Sequence, residues 1–411
     1  MQTQLADFIK DTPEGREADA ILRACVHCGF CLATCPTYQL LGDELDSPRG
    51  RIYLVKQLLE GGPVSAKTQL HLDRCLTCRA CESTCPSGVK YSRLADVGRA
   101  LVERQVGRSP WQGLQRRAMR AVLPNARIFG TLLGLGRTAR LLLPAALKRQ
   151  VPPARPRTTW PAPRHPRTVL VLDGCVQPSL EPNINAAAAR LLDRLGISLV
   201  RAEKAGCCGA LSHHLNAREE GLDQMRRNID AWWPYLEQGA EAVLSTASGC
   251  GAEIKEYGHL LRHDPAYAEK AARVSARAKD VAEVLLAEQA GLARLLQGEG
   301  AASRGKVAFH APCSLQHGQR IVGVVEGLLR LAGFQLTPVP DGHLCCGSAG
   351  TYSLLQPEIS RRLAQSKAEA LESGGPEVIA TANIGCLLHL RSATPIPVRH
   401  WVELVDEVLA G

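Results

Sequence analysis

Short apolar runs separated by helix-length stretches mark the second half of the chain. Residues 168–172 (Thr-Val-Leu-Val-Leu) lead into Gly174-Cys175, and residues 306–310 (Lys-Val-Ala-Phe-His) lead into Pro312-Cys313. Each run is followed by a helical stretch, a second apolar run and a Cys-Cys-Gly triplet: Cys207-Cys208-Gly209 and Cys345-Cys346-Gly347. A third run, 242–246 or 378–381, reaches Ser248-Gly249-Cys250 in one copy and Ile384-Gly385-Cys386 in the other. Residues 280–285 and 400–405 close the copies with matching helical patterns. This is a duplication. Strands alternating with helices in equal register predict two α/β units, each with a parallel sheet.

The first half is patterned differently. Residues 51–60 place Ile52, Leu54, Val55, Leu58 and Leu59 on one helical face, and Gly61-Gly62-Pro63 ends the segment. Further on, Ile128, Leu132, Leu135, Ala139 and Leu142 recur at helical spacing, with Arg137 and Arg140 on another side. That predicts a basic amphipathic helix, weakened by Gly130, Gly134 and Gly136. Residues 151–166 are rich in Pro and Arg and read as an extended linker. No run approaches the ~18 apolar residues of a membrane span; the nearest, 141–147, contains Pro144. The expected domains are 1–103, a connector over 104–167, and the two copies at 168–300 and 301–411.

Charge sharpens the connector. The 411 residues carry a formal net charge of +9, from 49 basic and 40 acidic residues. Residues 104–172 hold 14 of the Lys and Arg and no Asp or Glu, leaving 35 basic against 40 acidic residues elsewhere. A basic amphipathic helix here either lies on an anionic membrane surface or packs against the protein's own domains or a partner. Nucleic acid is not expected as a partner, because no aromatics interleave with the arginines to stack bases.

Cysteine carries the chemistry. The chain has 16, and its opening residues lack the basic and apolar regions of a secretory leader. Metal binding or redox chemistry is therefore expected over structural disulfides, in a cytoplasmic protein. Cys25, Cys28, Cys31 and Cys35-Pro36 are spaced as Cys75, Cys78, Cys81 and Cys85-Pro86 are. In this ferredoxin-type spacing three thiolates two residues apart wrap one cluster, and the fourth reaches the other. The assignment is Cys25, Cys28, Cys31 and Cys85 for one [4Fe-4S] cluster, and Cys75, Cys78, Cys81 and Cys35 for the second. The remaining eight, Cys175, Cys207, Cys208, Cys250, Cys313, Cys345, Cys346 and Cys386, are candidates for a further iron–sulfur cluster or redox thiols, or are buried small apolar residues. His310 and His317 flank Cys313 as candidate proton relays or ordinary core histidines. His213 and His214 have no counterpart in the second copy and are not expected to be ligands.

Two ferredoxin motifs followed by two Cys-Cys-Gly domains resemble the iron–sulfur subunits of flavin-dependent dehydrogenases, in particular the glycolate oxidase iron–sulfur subunit family. The likeness is carried by Ser47-Pro48-Arg49-Gly50-Arg51-Ile52, Ala247-Ser248-Gly249-Cys250-Gly251, Leu315-Gln316-His317-Gly318-Gln319 and Ala382-Asn383-Ile384-Gly385-Cys386. It implies an electron-transfer chain with no catalytic residue of its own. Such a chain would take electrons from flavin-containing partner subunits that oxidise glycolate to glyoxylate, and pass them towards a membrane quinone from the inner face of the cell membrane. The same wire would serve a D-lactate or anaerobic glycerol-3-phosphate dehydrogenase. A heterodisulfide-reductase-like thiol–disulfide oxidoreductase is the third reading. That type has a further cysteine where Ala247 and Asn383 stand, which speaks against it.

Overall fold

The computed structural model describes residues 1–141, 151–297 and 304–410. Two four-stranded sheets form its second half, every pairing parallel. The first contains β1 (Arg167–Val171), β2 (Ile197–Arg201), β3 (Val243–Ser245) and β4 (Ala278–Asp280) in the order β2-β1-β3-β4. The second contains β5 (Lys306–His310), β6 (Gln335–Leu336), β7 (Val378–Thr381) and β8 (Val398–His400) in the order β6-β5-β7-β8. The chain is thus α/β with a helical amino-terminal domain and a duplicated α/β half, as the periodicity predicts. The outer strands β4 and β8 are too short to show as apolar runs. Each feeds a helix that opens with a capping box, Asp280 with Glu283 and His400 with Glu403.

One apolar core runs through both sheets, joining Val169, Leu244 and Leu285 to Val307, Ile379 and Trp401. The copies are also tied by polar contacts. Arg190 in helix Asn183–Arg194 donates to Asp406, and His400 Nε2 lies 2.9 Å from the Thr246 carbonyl. The copies share this apolar core, while the other face of the first sheet closes a core of its own with Leu170, Val243, Trp232 and Ile254.

The amino-terminal domain packs helices Pro13–Ala24, Pro48–Leu59, Ala66–Asp73 and Tyr91–Val106 around Leu22, Val55, Leu58 and Leu94. Helix Pro48–Leu59 begins three residues before the apolar periodicity, because Ser47 caps it through Gly50 N–H and Pro48 takes the first position. The expected boundary after 103 falls within helix Tyr91–Val106, and the chain turns instead at Gly107. The 300/301 boundary lies outside the described residues.

The connector contains two helices, Pro110–Val122 and Ala126–Thr138, which bury no residue. Trp111, Leu114, Ile128, Leu132 and Leu135 are exposed on them. Leu142, Pro144, Lys148 and Arg149 lie outside the described residues. Two features of the expected cationic face need correction. Arg137 does not face outward but donates to the carbonyls of Pro152, Pro153 and Ser179. Arg108, Arg116, Arg120, Arg155, Arg164 and Arg167 pair with Asp73, Glu103, Glu220, Glu181, Asp193, Glu241 and Glu288 of the flanking domains. Much of the connector's charge is spent holding the chain's own domains. Arg104, Arg117, Arg127 and Arg157 make no ion pair among the described residues.

Candidate metal centres

The two ferredoxin-type loops have the same backbone. His27 and Gly29 in one, and Thr77 and Arg79 in the other, all have positive φ (56°, 85°, 52° and 63°). Left-handed residues between the cysteines curl each loop so that its thiols face inward. Three of the four carry a Cβ, a strain of ~1 kcal/mol apiece that persists where the surroundings impose it.

Two cavities result. One is lined by Cys35, Cys75, Cys78 and Cys81 with Arg51 and Tyr91; the other by Cys25, Cys28, Cys31 and Cys85 with Cys81 and Arg49. The fourth cysteine of each motif thus lies in the other motif's cavity. Among the described residues no three of these eight sulfurs converge within 4.8 Å, so they surround a volume and not a point. Burial pushes the Cys31 thiol up to about 11, and raises Cys78 and Cys81 well above the ordinary thiol range. Such thiols ionise when a metal replaces the proton. Cys75 behaves otherwise. Burial raises it too, but the guanidinium groups of Arg51 and Arg99 outweigh burial and bring it below the usual value.

In the α/β half the eight cysteines gather beyond the carboxyl ends of the strands, where open parallel sheets collect ligands. Thiol contacts run Cys175–Cys207–Cys208–Cys250 in the first copy and Cys313–Cys345–Cys346–Cys386 in the second, with Cys313 and Cys345 sulfurs 3.8 Å apart. Cys250 and Cys386 lie in the first turns of helices Ser248–Leu260 and Ile384–Leu390. The glycine of each triplet has a physical cause. Gly209 and Gly347 have φ of 97° and 88°, and a Cβ there would lie 2.8 Å from Gly221 O and 2.7 Å from Ser360 O. Asn383 donates to the Cys386 sulfur at 3.5 Å and accepts from Gly249 N–H, so it supports a thiolate where the disulfide-cleaving type has a ligand.

The histidines separate. His213 Nδ1 lies 3.1 Å from Glu253, and His317 is held between Ser83 and the His343 carbonyl. His310 is 1% exposed and neither ring nitrogen has a partner.

These features have counterparts in known proteins. A 4Fe-4S dicluster domain matches residues 21–89, and a cysteine-rich domain matches twice, at 169–255 and 307–391. The chain is 56% identical to the glycolate oxidase iron-sulfur subunit of Escherichia coli K12, covering all of this chain and 99% of that one. The chain belongs to the glycolate oxidase iron–sulfur subunit family. A probable glycolate oxidase iron-sulfur subunit of Bacillus subtilis is 31% identical over 89% of this chain and 88% of its own length. Lactate utilization protein A of Bacillus licheniformis is 29% identical over 56% of this chain and 96% of its own.

Within this family's architecture, the amino-terminal domain is a dicluster domain for two [4Fe-4S] centres, and its two thiol-lined cavities fit that content. Several side chains around them escape a reading of spacing. Arg51, 1% exposed, donates to Asp46, Thr37 and the His71 carbonyl. Arg99 donates to Thr77 and to the carbonyls of Leu72 and Cys75. Helical spacing puts both on the apolar face, Arg51 with Val55 and Leu58 and Arg99 with Ala95 and Val102, and only the burial of anionic thiolates nearby accounts for a charge there. The Cys78 side of one cavity packs against Cys313, Cys345 and Tyr352 of the second copy. Among the described residues no helix is long and apolar enough to cross a membrane.

Proposed function

We propose that this chain is the electron-transfer subunit of a flavin-dependent complex that oxidises glycolate to glyoxylate. The observation that carries the reading is the exchange of the fourth cysteines between two cavities in a chain of this family. Cys25, Cys28, Cys31 and Cys85 hold one [4Fe-4S] cluster, and Cys75, Cys78, Cys81 and Cys35 hold the other. Bound clusters supply one-electron transfer and no bond chemistry. Glycolate gives up two electrons and two protons to the flavin of a partner subunit, and this chain relays the electrons towards a membrane quinone. Its own residues bury the clusters, compensate their thiolates with Arg51 and Arg99, and seat one cavity against the second Cys-Cys-Gly copy. The reading places the complex in the cytoplasm, peripheral on the inner face of the cell membrane, with the exposed apolar residues of the connector as the contact.

The chain purified anaerobically is expected to contain at least eight irons and to show no glycolate turnover until flavin subunits are added. Turnover by the chain alone, or fewer than four irons after reconstitution, overturns the proposal. A second reading, lactate in place of glycolate, is favoured by the lactate utilization relatives. A substrate screen on the copurified complex separates the two.

A further inference from the structure

The two Cys-Cys-Gly copies carry the same cysteines but not the same surroundings. Cys175, Cys207 and Cys208 precede Cys313, Cys345 and Cys346 by a constant interval, and the same interval relates Met225, which touches Gly209, to Leu363, which touches Gly347. It also sets Leu172 against His310 and Ile229 against Lys367. Leu172 and Ile229 pack in one apolar cluster with Cys207 and Cys208. In the second copy an imidazole and an ammonium occupy those places, both buried: His310 is 1% exposed and Lys367 is 3%. A buried imidazole with two unpartnered nitrogens costs roughly 1–3 kcal/mol for each unmet polar group. A packed core keeps such a group when something absent from the chain itself satisfies it.

We propose that the second copy holds a single transition-metal ion of the zinc class, with His310, Cys346 and Cys386 as ligands. The donor atoms of these three residues all lie within 4.8 Å of one another. Metal–sulfur bonds of about 2.3 Å and metal–nitrogen bonds of about 2.0 Å put tetrahedral ligands roughly 3.5–3.8 Å apart, so a small contraction closes the site. The ferredoxin-type thiols show no such convergence. Mixed nitrogen and sulfur donors in tetrahedral array suit zinc. The fourth position falls to Cys345, whose sulfur lies outside this group and 3.8 Å from that of Cys313, and which turns inward when the ion binds. Charge then balances. Three thiolates, a neutral imidazole and a divalent ion leave one negative charge, and Lys367, anchored on the Asp341 carbonyl at 2.7 Å, supplies the buried positive one. The first copy has Leu172 and Ile229 at the matching places and so lacks the nitrogen ligand, and its cation near the thiols, Arg227, lies at the Cys207 carbonyl instead. The site narrows the open role of these thiols and does not rest on glycolate being the substrate.

The test uses the full chain purified anaerobically with its clusters, counting zinc and iron by mass spectrometry and titrating with Co²⁺. Co²⁺ is read by electron paramagnetic resonance while the [4Fe-4S] clusters are oxidised and diamagnetic. One zinc or cobalt per chain is expected beyond the cluster iron. His310→Leu, which copies the first repeat, is expected to lower that affinity at least about tenfold with cluster iron unchanged. His310→Cys is expected to bind again, with the nitrogen coupling lost from the Co²⁺ spectrum. Unchanged Co²⁺ affinity in His310→Leu overturns the site, as does wild-type protein that takes up no such ion. Metal that survives Cys346→Ser but is lost in Cys208→Ser would move it to the first copy. Four extra irons retained in His310→Leu would show a cluster there and overturn the single-ion assignment.

Discussion

His213 shows how one side chain can make this protein respond to pH. Burial alone would lower its pKa, but the Glu253 carboxylate 3.1 Å away outweighs burial and raises it to about 9. A histidine raised in the folded state contributes stability that is fully present below its unfolded value of about 6.5 and is lost as pH rises through 9. Asp280, which burial raises to about 7, is half ionised at pH 7 and has largely titrated by pH 8, so the interval from pH 8 to 9 separates the histidine from it. Wild-type chain is expected to lose urea resistance across that interval, and His213→Gln to show a flatter profile. Equal slopes in the two proteins would show that the pair does not set the dependence. The carboxylate of Asp96, on helix Tyr91–Val106, also favours the charged imidazole, so the effect belongs to the contact between the dicluster domain and the first copy.

At the level of elements, the connector was the hardest part to read from sequence. Its apolar spacing located helix Ala126–Thr138, but a run of 14 cations with no acid says nothing about which of them find carboxylates on distant segments. Those pairings are tertiary facts. What faces outward on helix Ala126–Thr138 is an apolar ridge, Ile128, Leu132 and Leu135 one or two turns apart; Trp111 and Leu114 are exposed on helix Pro110–Val122, and Arg117 and Arg127 make no ion pair among the described residues. Burying a leucine in a lipid interface gains about 1.5–3 kcal/mol. Leu132→Ser with Leu135→Ser is therefore expected to weaken flotation of the complex with anionic vesicles by more than about tenfold. Arg117→Glu with Arg127→Glu is expected to weaken it less and to remove its salt dependence. Arg137 is the wrong residue to reverse, because its guanidinium holds the linker. Flotation unaffected by both doublets would make the ridge a protein-docking face. Elsewhere the strands that lead to cysteines were legible, since three or four consecutive apolar residues before a Cys motif need no tertiary help. The short β4 and β8, and the buried Arg51 and Arg99, were not: their roles exist only once sheet and thiolates surround them.

In the whole molecule the dicluster domain is clamped across both copies, and the clamp is built from carboxylates that each serve more than one cation. Glu256 of the first copy pairs with Arg79 and Arg93, while Glu17 of the dicluster domain pairs with His259, Arg262 and Arg93. The second copy adds Tyr352, which donates to the Arg74 carbonyl, and His317 against Ser83. Arg79 is the left-handed residue that follows Cys78, so the clamp grips a cluster loop itself. These carboxylates are 22–26% exposed, enough to discount the Coulomb term yet too little for water to replace both partners. Glu256→Lys sets a third cation between Arg79 and Arg93, and is expected to cost about 2 kcal/mol, some thirtyfold in the open population. Faster amide exchange should appear in helices Tyr91–Val106 and Ser248–Leu260 together, with cluster iron retained. Acceptor reduction by the reassembled complex should then fall several-fold, because the cavity of Cys78 no longer stays against Cys313 and Cys345. If exchange rises while acceptor reduction holds, electrons leave the dicluster domain by another face, and the second copy serves docking or its metal site alone.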